Sequence, residues 1–485
     1  MKLRDITEGL EILECSADAQ TEIRSVTCDS RKVESGAMFI AIKGFSTDGH
    51  NFIAKAVEDG AAVILCSDAI PEGVKAVRVR DSRAAMAIVA DNFYGHPSRK
   101  LSLVGVTGTN GKTTIATLLF RLHRSMGYAC GLLSTIANWI EDERFETVNT
   151  TQDAITINAL LARMVDKGCA FCFMEVSSIA LHQDRTAGLH FKGAIFTNLT
   201  HDHLDYHKTF AEYLRCKKLF FDRLPKGSWA LTNLDDKNGE VMLQNTKADK
   251  HNYSICRMAD FNAKIIEKSI EGMLLSINGT QVWTRFIGEH NASNIAAVYG
   301  AATLLKACTG EELLEKISAL SSVNGRLEYI KGPNDVTAVV DYAHTPDALE
   351  NVLKTLLDVA KGKEVTAVFG CGGDRDRTKR PEMAAIGAKY AHRVVLTSDN
   401  PRSEDPDAIL EEMRSGLVSA ADKIKTTSIT DRREAIRNAL TTAPKGAIVL
   451  IAGKGHEDYQ IVKGVKSHFD DKEVVRDTFE LMQSL

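Results

Sequence analysis

The chain is 485 residues long, 44% hydrophobic and 26% charged, too long for one hydrophobic core and ordinary for a globular protein of two to four domains. Its formal charge of -4 leaves no excess of cations to neutralise phosphates, which argues against nucleic acid as a partner. The amino-terminal MKLRDITEGLEILE lacks the apolar run of a signal peptide, and the most apolar stretches, 61–66 and 447–452, are only strand-length. No membrane insertion is expected, and the expected location is cytoplasmic.

The ten cysteines are scattered, which suits a reducing compartment. Cys169 and Cys172 form the one C-x-x-C pair; they lie in the apolar run KGCAFCFMEV without a second pair to complete a zinc site, so they read as core cysteines. The polar, Gly- and Pro-bearing segment 94–100 and the segment SSVNGR at 321–326 read as linkers. They divide the chain into 1–98, 99–325 and 326–485. No internal repeat stands out.

The second division opens with a strand at 101–106 that runs into a glycine-rich loop and a helix from about Thr113 to Met126, and further strand-like runs follow at 171–176 and 194–197. The last division continues with runs at 336–340, 365–369, 393–397 and 447–451, with helical patterns between them. Strands alternating with helices predict parallel α/β sheets, whose ligands bind beyond the carboxyl ends of the strands. Those ends carry Glu175, Asp341, Gly370–Asp374, Asp399–Arg402 and Gly453–Glu457.

After the strand LSLVGV stand Gly108, Thr109, Asn110, Gly111, Lys112, Thr113 and Thr114. Glycines let backbone N–H groups turn toward an anion, the helix offers its positive end, Lys112 can reach terminal phosphates, and Thr113 is placed to ligate magnesium. The first glycine of the general G-x-x-x-x-G-K-T pattern is Val106 here, with Gly105 one residue earlier. Glu175 and the imidazoles of THDHLD converge on neighbouring strand ends, a possible magnesium site beside ATP. The rival H-x-H-x-D-H zinc signature fails at its last position, where Tyr206 stands, and a zinc hydrolase has no use for a phosphate loop.

The string GTNGKTT resembles the variant phosphate loop of the Mur ligase superfamily, which also holds folylpolyglutamate and cyanophycin synthetases. EVSS at 175–178, NLTHDHLD at 198–205 and YLRCK at 213–217 resemble further motifs of that family; the last has Cys216 where alanine is usual. The resemblance implies that Lys112, His203 and Lys217 are catalytic, that Thr113, Glu175, His203 and a carbamylated Lys217 (N6-carboxylysine) hold Mg2+, and that ATP is the co-substrate. It also implies adenine and ribose contacts from Asn291, Asn294 and Arg326, and a reach to ATP by Asp341 in DYAHTP. His290 stands where phenylalanine is more frequent.

The resemblance runs nearly end to end. Asp29-Ser30-Arg31 and Asp48-Gly49-His50 look like motifs for uridine diphosphate, and Thr150, Thr151, Ser177, Gln183 and Arg185 look like contacts to a muramoyl dipeptide. Gln152 replaces a usual proline and Ile179 a usual histidine. Arg375, Asp399, Asn400, Pro401, Arg402, Gly453 and Glu457 match the diaminopimelate-adding branch. The implied fold is three α/β domains: a smaller N-terminal one, a central phosphate-loop parallel sheet, and a Rossmann-like C-terminal one. The implied reaction joins meso-diaminopimelate to UDP-N-acetylmuramoyl-L-alanyl-D-glutamate through an acyl phosphate, and a monomer is expected. Alternatives are the L-lysine-adding branch, a folate-type polyglutamate ligase, and a silent nucleotide-binding scaffold. The last would need few of Lys112, Glu175, His203 and Lys217.

Overall fold

The computed structural model describes all residues except 45, 46, 148, 201, 203 and 485, and all side chains of those but 204 and 205. Three large sheets follow one another along the chain, and Tyr459–Val462 with Val465–His468 form a separate two-stranded antiparallel ribbon. The first has five strands in the spatial order Ile12–Cys15, Ala76–Val79, Val63–Cys66, Ala37–Ile40, Ser25–Thr27, with only the first pair antiparallel. The second has eleven strands, and Ser102–Thr107 lies inside it between Phe171–Glu175 and Phe191–Phe196, parallel to both. The third has six strands, with Thr337–Asp341, Ile448–Ala452, Val365–Phe369 and Arg393–Leu396 adjacent and parallel in that order.

The middle of the strand Ser102–Thr107, Leu103–Val106, carries no polar side chain because both of its faces are covered. Val104 and Val106 lie in the cluster that holds Ile115, Leu118, Leu119 and Leu122 of the helix Lys112–Ser125, while Leu103 joins Phe220 and Phe191 on the other face. The helix repeats its apolar residues at i, i+3, i+4 and i+7, the spacing of one buried stripe. Gly105 lies in the strand, and a Cβ there would come within 2.4 Å of the Phe220 ring. It is thus a packing glycine and not a displaced loop glycine.

The expected parallel strands are present: Val365–Phe369 coincides with its expected run, and the other runs differ by one to three residues at one or both ends. The run at 194–197 begins earlier, as Phe191–Phe196, because the exposed Lys192 and the side-chain-free Gly193 under Trp229 hide its start from an apolar scan. The antiparallel extensions, among them Asn138–Ile140 with Glu143–Phe145 and the strands from Phe261 to Thr284, were not anticipated. Segment 94–100 is not a loose linker: Pro97 and Ser98 are buried in a 3-10 turn, and the Ser98 hydroxyl accepts from His190 N–H at 3.0 Å. Cys169 and Cys172 are core residues as read. Among the described residues no helix is long and apolar enough to cross a membrane.

Candidate active site

The phosphate loop is held from beneath by the next strand end. Asn198 accepts the Asn110 N–H on its side-chain oxygen (2.9 Å) and the Thr109 N–H on its carbonyl (2.8 Å), and the Thr197 hydroxyl donates to Asn110 O at 2.6 Å. A Cβ on Gly108 would lie 1.8 Å from the Thr197 hydroxyl, and one on Gly111 would lie 2.7 Å from the Asn294 side-chain oxygen. Gly111, at φ 89°, stands at the N-cap, and no side chain caps the helix that follows. Its first amides therefore stay open to an anion. Lys112 Nζ folds back on the carbonyls of Gly108 and Thr109 at 2.9 and 2.8 Å, and burial lowers its pKa. Thr114 is buried in the same turn.

Glu175 is fully buried beneath the loop. Its carboxylate accepts from the Thr113 hydroxyl (2.9 Å), the Thr135 N–H (2.8 Å) and the Thr135 hydroxyl (3.1 Å), and no ion pair neutralises it among the described residues. Lys217 lies on the helix Phe210–Asp222, whose core face carries Tyr213, Cys216, Lys217, Phe220 and Phe221. The lysine is 1% exposed, not solvated. Its Nζ donates to Gly108 O at 2.8 Å, an acceptor it shares with Lys112, and it lies over the Tyr213 ring. Burial and the neighbouring Lys112 charge push its pKa well below the usual lysine value. His201 and His203 lie outside the described residues. Tyr206, the residue that spoils the zinc signature, joins His182 (2.9 Å) and Gln183 (3.1 Å) through its hydroxyl.

The expected dipeptide residues form one chain of hydrogen bonds that starts at Glu175. Thr135 donates to Thr150 (3.2 Å), the Thr151 hydroxyl donates to Glu175 O (2.9 Å) and accepts from Ser177 N–H (3.0 Å), and Arg185 donates to Thr151 O (2.7 Å) and to the Gln183 side-chain oxygen. Gln152 is buried, and its amide pins the loop by donating to Asn149 O and Thr147. A cavity of about 170 Å³ opens here between Arg83 and Cys28 on one side and Asp153, Gln183 and Arg185 on the other. Ser30 lies on a 3-10 turn capped by Asp29, and Gly49–Phe52 is a second such turn, capped by Asp48. Asp48, His50 and Asp68 cluster closely enough for a metal, but both His50 nitrogens are engaged by Asp48 and Ser67, and Asp68 pairs with Lys43.

Where the second and third divisions meet, the Asn291 amide donates to Ile287 O and Asn294 donates to Asn291, at 2.9 and 3.1 Å. The Arg326 guanidinium lies 4.7 Å from the Tyr342 ring centre, and its Nε is buried without a hydrogen-bond partner. Asp341 departs from a simple ligand contact: its two oxygens accept the backbone N–H groups of Leu327 and Ala343, both at 2.8 Å. Asp347, six residues on in the first turn of the helix Pro346–Ala360, accepts from Asn110 (3.0 Å) and Thr200 (3.2 Å), so the third division touches the phosphate loop directly.

The loops expected to take the amino acid converge at the ends of the third sheet. Glycines let their backbones touch: a Cβ on Gly373 would lie 1.9 Å from Pro401 O, and one on Gly453 would lie 2.6 Å from an Asp399 carboxylate oxygen. The Asn400 amide donates to Glu457 at 2.8 Å, and Arg402 donates to Gly373 O at 2.7 Å. Arg402 holds a φ of 53°, a conformation that non-glycine residues seldom adopt. Its N–H is tied to Ile461 O at 2.9 Å. Arg375 is exposed beside them.

Three fully buried cations that the sequence reading passed over support these loops. Arg380 pairs with Glu404 and Glu412 and donates to Gly372 O. Arg432 makes two 2.7 Å bonds to Asp471 and donates to Ser398 O and Ala452 O, at the roots of two loops. Lys454 lies 3.2 Å from Glu457. No motif marks Arg380 or Arg432; Lys454 lies inside the singled-out loop Gly453–Glu457, but the sequence gives it no role of its own.

The fold and these features define a phosphate-loop α/β protein of three successive sheets, with an acidic and lysine-rich centre under the loop. Family profiles agree: the Mur ligase family catalytic domain matches 22–94, the Mur ligase middle domain 106–302, and the Mur ligase glutamate ligase domain 325–455. The chain belongs to the Mur ligase family. It is 53% identical to the UDP-N-acetylmuramoyl-L-alanyl-D-glutamate–2,6-diaminopimelate ligase of Phocaeicola vulgatus, with 99% of each chain covered. The same-named ligase of Bacillus cereus is 42% identical, with 98% of each covered. A solved structure of a ligase of that name superposes with a TM-score of 0.72 at 33% identity, covering 100% of this chain and 99% of the other.

Proposed function

We propose that the chain joins meso-diaminopimelate to the D-glutamate of UDP-N-acetylmuramoyl-L-alanyl-D-glutamate, with ATP hydrolysed to ADP and phosphate. The observation that carries this reading is the end-to-end likeness to ligases of that name. Residues 1–98 would hold the uridine diphosphate end, with Ser30 and Arg83 near it. Residues 99–325 would hold ATP and the dipeptide, and residues 326–485 the incoming amine. We place it in the cytoplasm as a monomer.

Lys112 and the open amides of its helix draw charge from the γ-phosphate while the glutamyl γ-carboxylate attacks it in line, releasing ADP and leaving an acyl phosphate. The diaminopimelate amine then attacks the acyl carbon, and phosphate leaves. Asn291, Asn294 and Arg326, with its orphaned Nε, would bind the nucleoside. Asp341 shapes that end of the site through Leu327 and Ala343. Thr150, Thr151, Ser177, Gln183 and Arg185 would hold the dipeptide. Docking of the third domain excludes water from the acyl phosphate.

A magnesium ion suits the donors present, since Glu175 is a buried carboxylate that no ion pair neutralises among the described residues and Thr113 adds a hydroxyl oxygen. His203 and the carbamate of Lys217 would complete its ligands. The ion would neutralise charge on the ATP phosphates. Burial and the Lys112 charge lower the Lys217 pKa, which favours the free amine; that amine can add to CO2 and lose a proton, giving an anion suited to a metal where an ammonium would crowd Lys112.

Incubation with the UDP-dipeptide, ATP and meso-diaminopimelate should yield a product whose mass equals the two acceptor substrates less water, with one phosphate released per ligation. Phosphate release without that product would contradict the reading.

A further inference from the structure

Glu457 is half-buried and is faced by Asp399, Asn400, Lys454, Tyr342 and Tyr459, with Arg432 beneath. Burial and the Asp399 charge both push its pKa up. A carboxylate so placed is prone to take a proton, and a protonated Glu457 cannot attract an ammonium group. The one cation in hydrogen-bond contact with it among the described residues is Lys454, whose side chain is fully buried. Lys454 Nζ lies 3.2 Å from Glu457 Oε2 and 3.4 Å from Asn400 Oδ1, and the Asn400 amide donates to that same Oε2 at 2.8 Å. Both supports therefore fall on one oxygen, and Oε1 takes no hydrogen bond among the described residues.

We propose that Lys454 is a positioning residue for amine recognition: its buried ammonium holds Glu457 ionised beside Asp399 and turns its second oxygen toward the distal ammonium of the substrate. This rests on the diaminopimelate reading above. Burying a lysine is costly unless it is paired, and a loop that needed only shape could use an apolar residue there.

The two parts of the role separate in two variants. Lys454→Met removes charge and donors, whereas Lys454→Gln removes the charge and keeps donors. The measurement is kcat/KM for meso-diaminopimelate across pH on the full chain. Glu457 binds the ammonium only when ionised, and loss of the lysine charge raises its pKa. The acid limb of the profile should therefore move to higher pH in both variants, by about one unit, with about tenfold lower kcat/KM on that limb. At alkaline pH, Gln should regain affinity and Met should not. The loss should fall on the KM for the amino acid, with the KM values for ATP and the UDP-dipeptide held. Coincident acid limbs, or KM values rising in step for all three substrates, would overturn the proposal. So would failure of both variants to fold, read by thermal unfolding. If the wild type prefers a different amino acid, the diaminopimelate reading falls, and the same profiles run with that amino acid still decide the role of Lys454.

Discussion

Lys217 occupies a core position of an amphipathic helix, between Cys216 and Phe220 on the face that also carries Tyr213. An unmodified ammonium there meets burial, a shared carbonyl and the charge of Lys112. Conversion to a carbamate turns the repulsion with Lys112 into attraction and leaves the Gly108 carbonyl to Lys112, and a bound dication would offset the burial of the new charge. Lys217→Ala should abolish ligation, and acetate or formate in the assay should restore part of it by supplying the missing anion. No rescue, together with an unmodified lysine in the mass of the active protein, would refute the carbamate. This position was legible in the sequence by motif alone; without the motif it reads as a solvated helix lysine, and its place on the buried face shows only in the fold. The residues that orient it were not. Thr135 serves Glu175 through a loop with no signature, and the three buried cations of the third domain read like any surface lysine or arginine until the fold covers them.

At the level of elements, the strand ends were legible because parallel strands buried on both faces are short apolar runs, and chemistry concentrates where such runs stop. The antiparallel extensions were not legible, since Glu143–Phe145 is exposed or half-exposed along its length and carries no apolar pattern. Nor could spacing reveal that Gly105 serves packing while Gly108 makes the turn. Glycines at close approaches give the sharpest expectations at this scale. Gly453 has a φ of 116° and no room for a Cβ beside Asp399, so Gly453→Ala strains the backbone and displaces a loop of the amine site. Its kcat/KM for the amino acid should fall at least about tenfold, since even about 1.4 kcal/mol of misplacement suffices for that. Nucleotide binding, measured by fluorescence titration, should hold. Equal loss of nucleotide affinity would show that the two loops are not separate elements.

Across the whole molecule, the three-domain order followed from the two punctuated segments and from the family resemblance, but the contacts between domains did not. Asp347 joins the third domain to the phosphate loop through Asn110 and Thr200, residues more than a hundred positions away, and no local pattern predicts such a pair. Hydrogen bonds to a charged group contribute about 1.5–3 kcal/mol each where sheltered from water. Asp347→Ala should therefore shift the nucleotide-free protein toward open arrangements. Small-angle scattering should give it a larger radius of gyration than the wild type, and an unchanged radius would mean that other contacts hold the domains together.

The central claim is the choice of meso-diaminopimelate, which the likeness to ligases of that name carries and for which Arg402, tied to Ile461 O and Gly373 O, is the proposed selecting residue. The two candidate amino acids differ by one carboxylate, which a guanidinium fork can grip through two charge-assisted bonds and which lysine lacks. Because φ is 53° there, Arg402→Gly tests the side chain without adding backbone strain. Competition between meso-diaminopimelate and L-lysine, with phosphate release and product mass followed together, is the direct measurement. The wild type should choose diaminopimelate strongly. Arg402→Gly should lose about ten- to a hundredfold in kcat/KM for it, while the poor rate with lysine barely changes. A wild type that prefers lysine, or a variant in which both rates fall in proportion, would contradict the account.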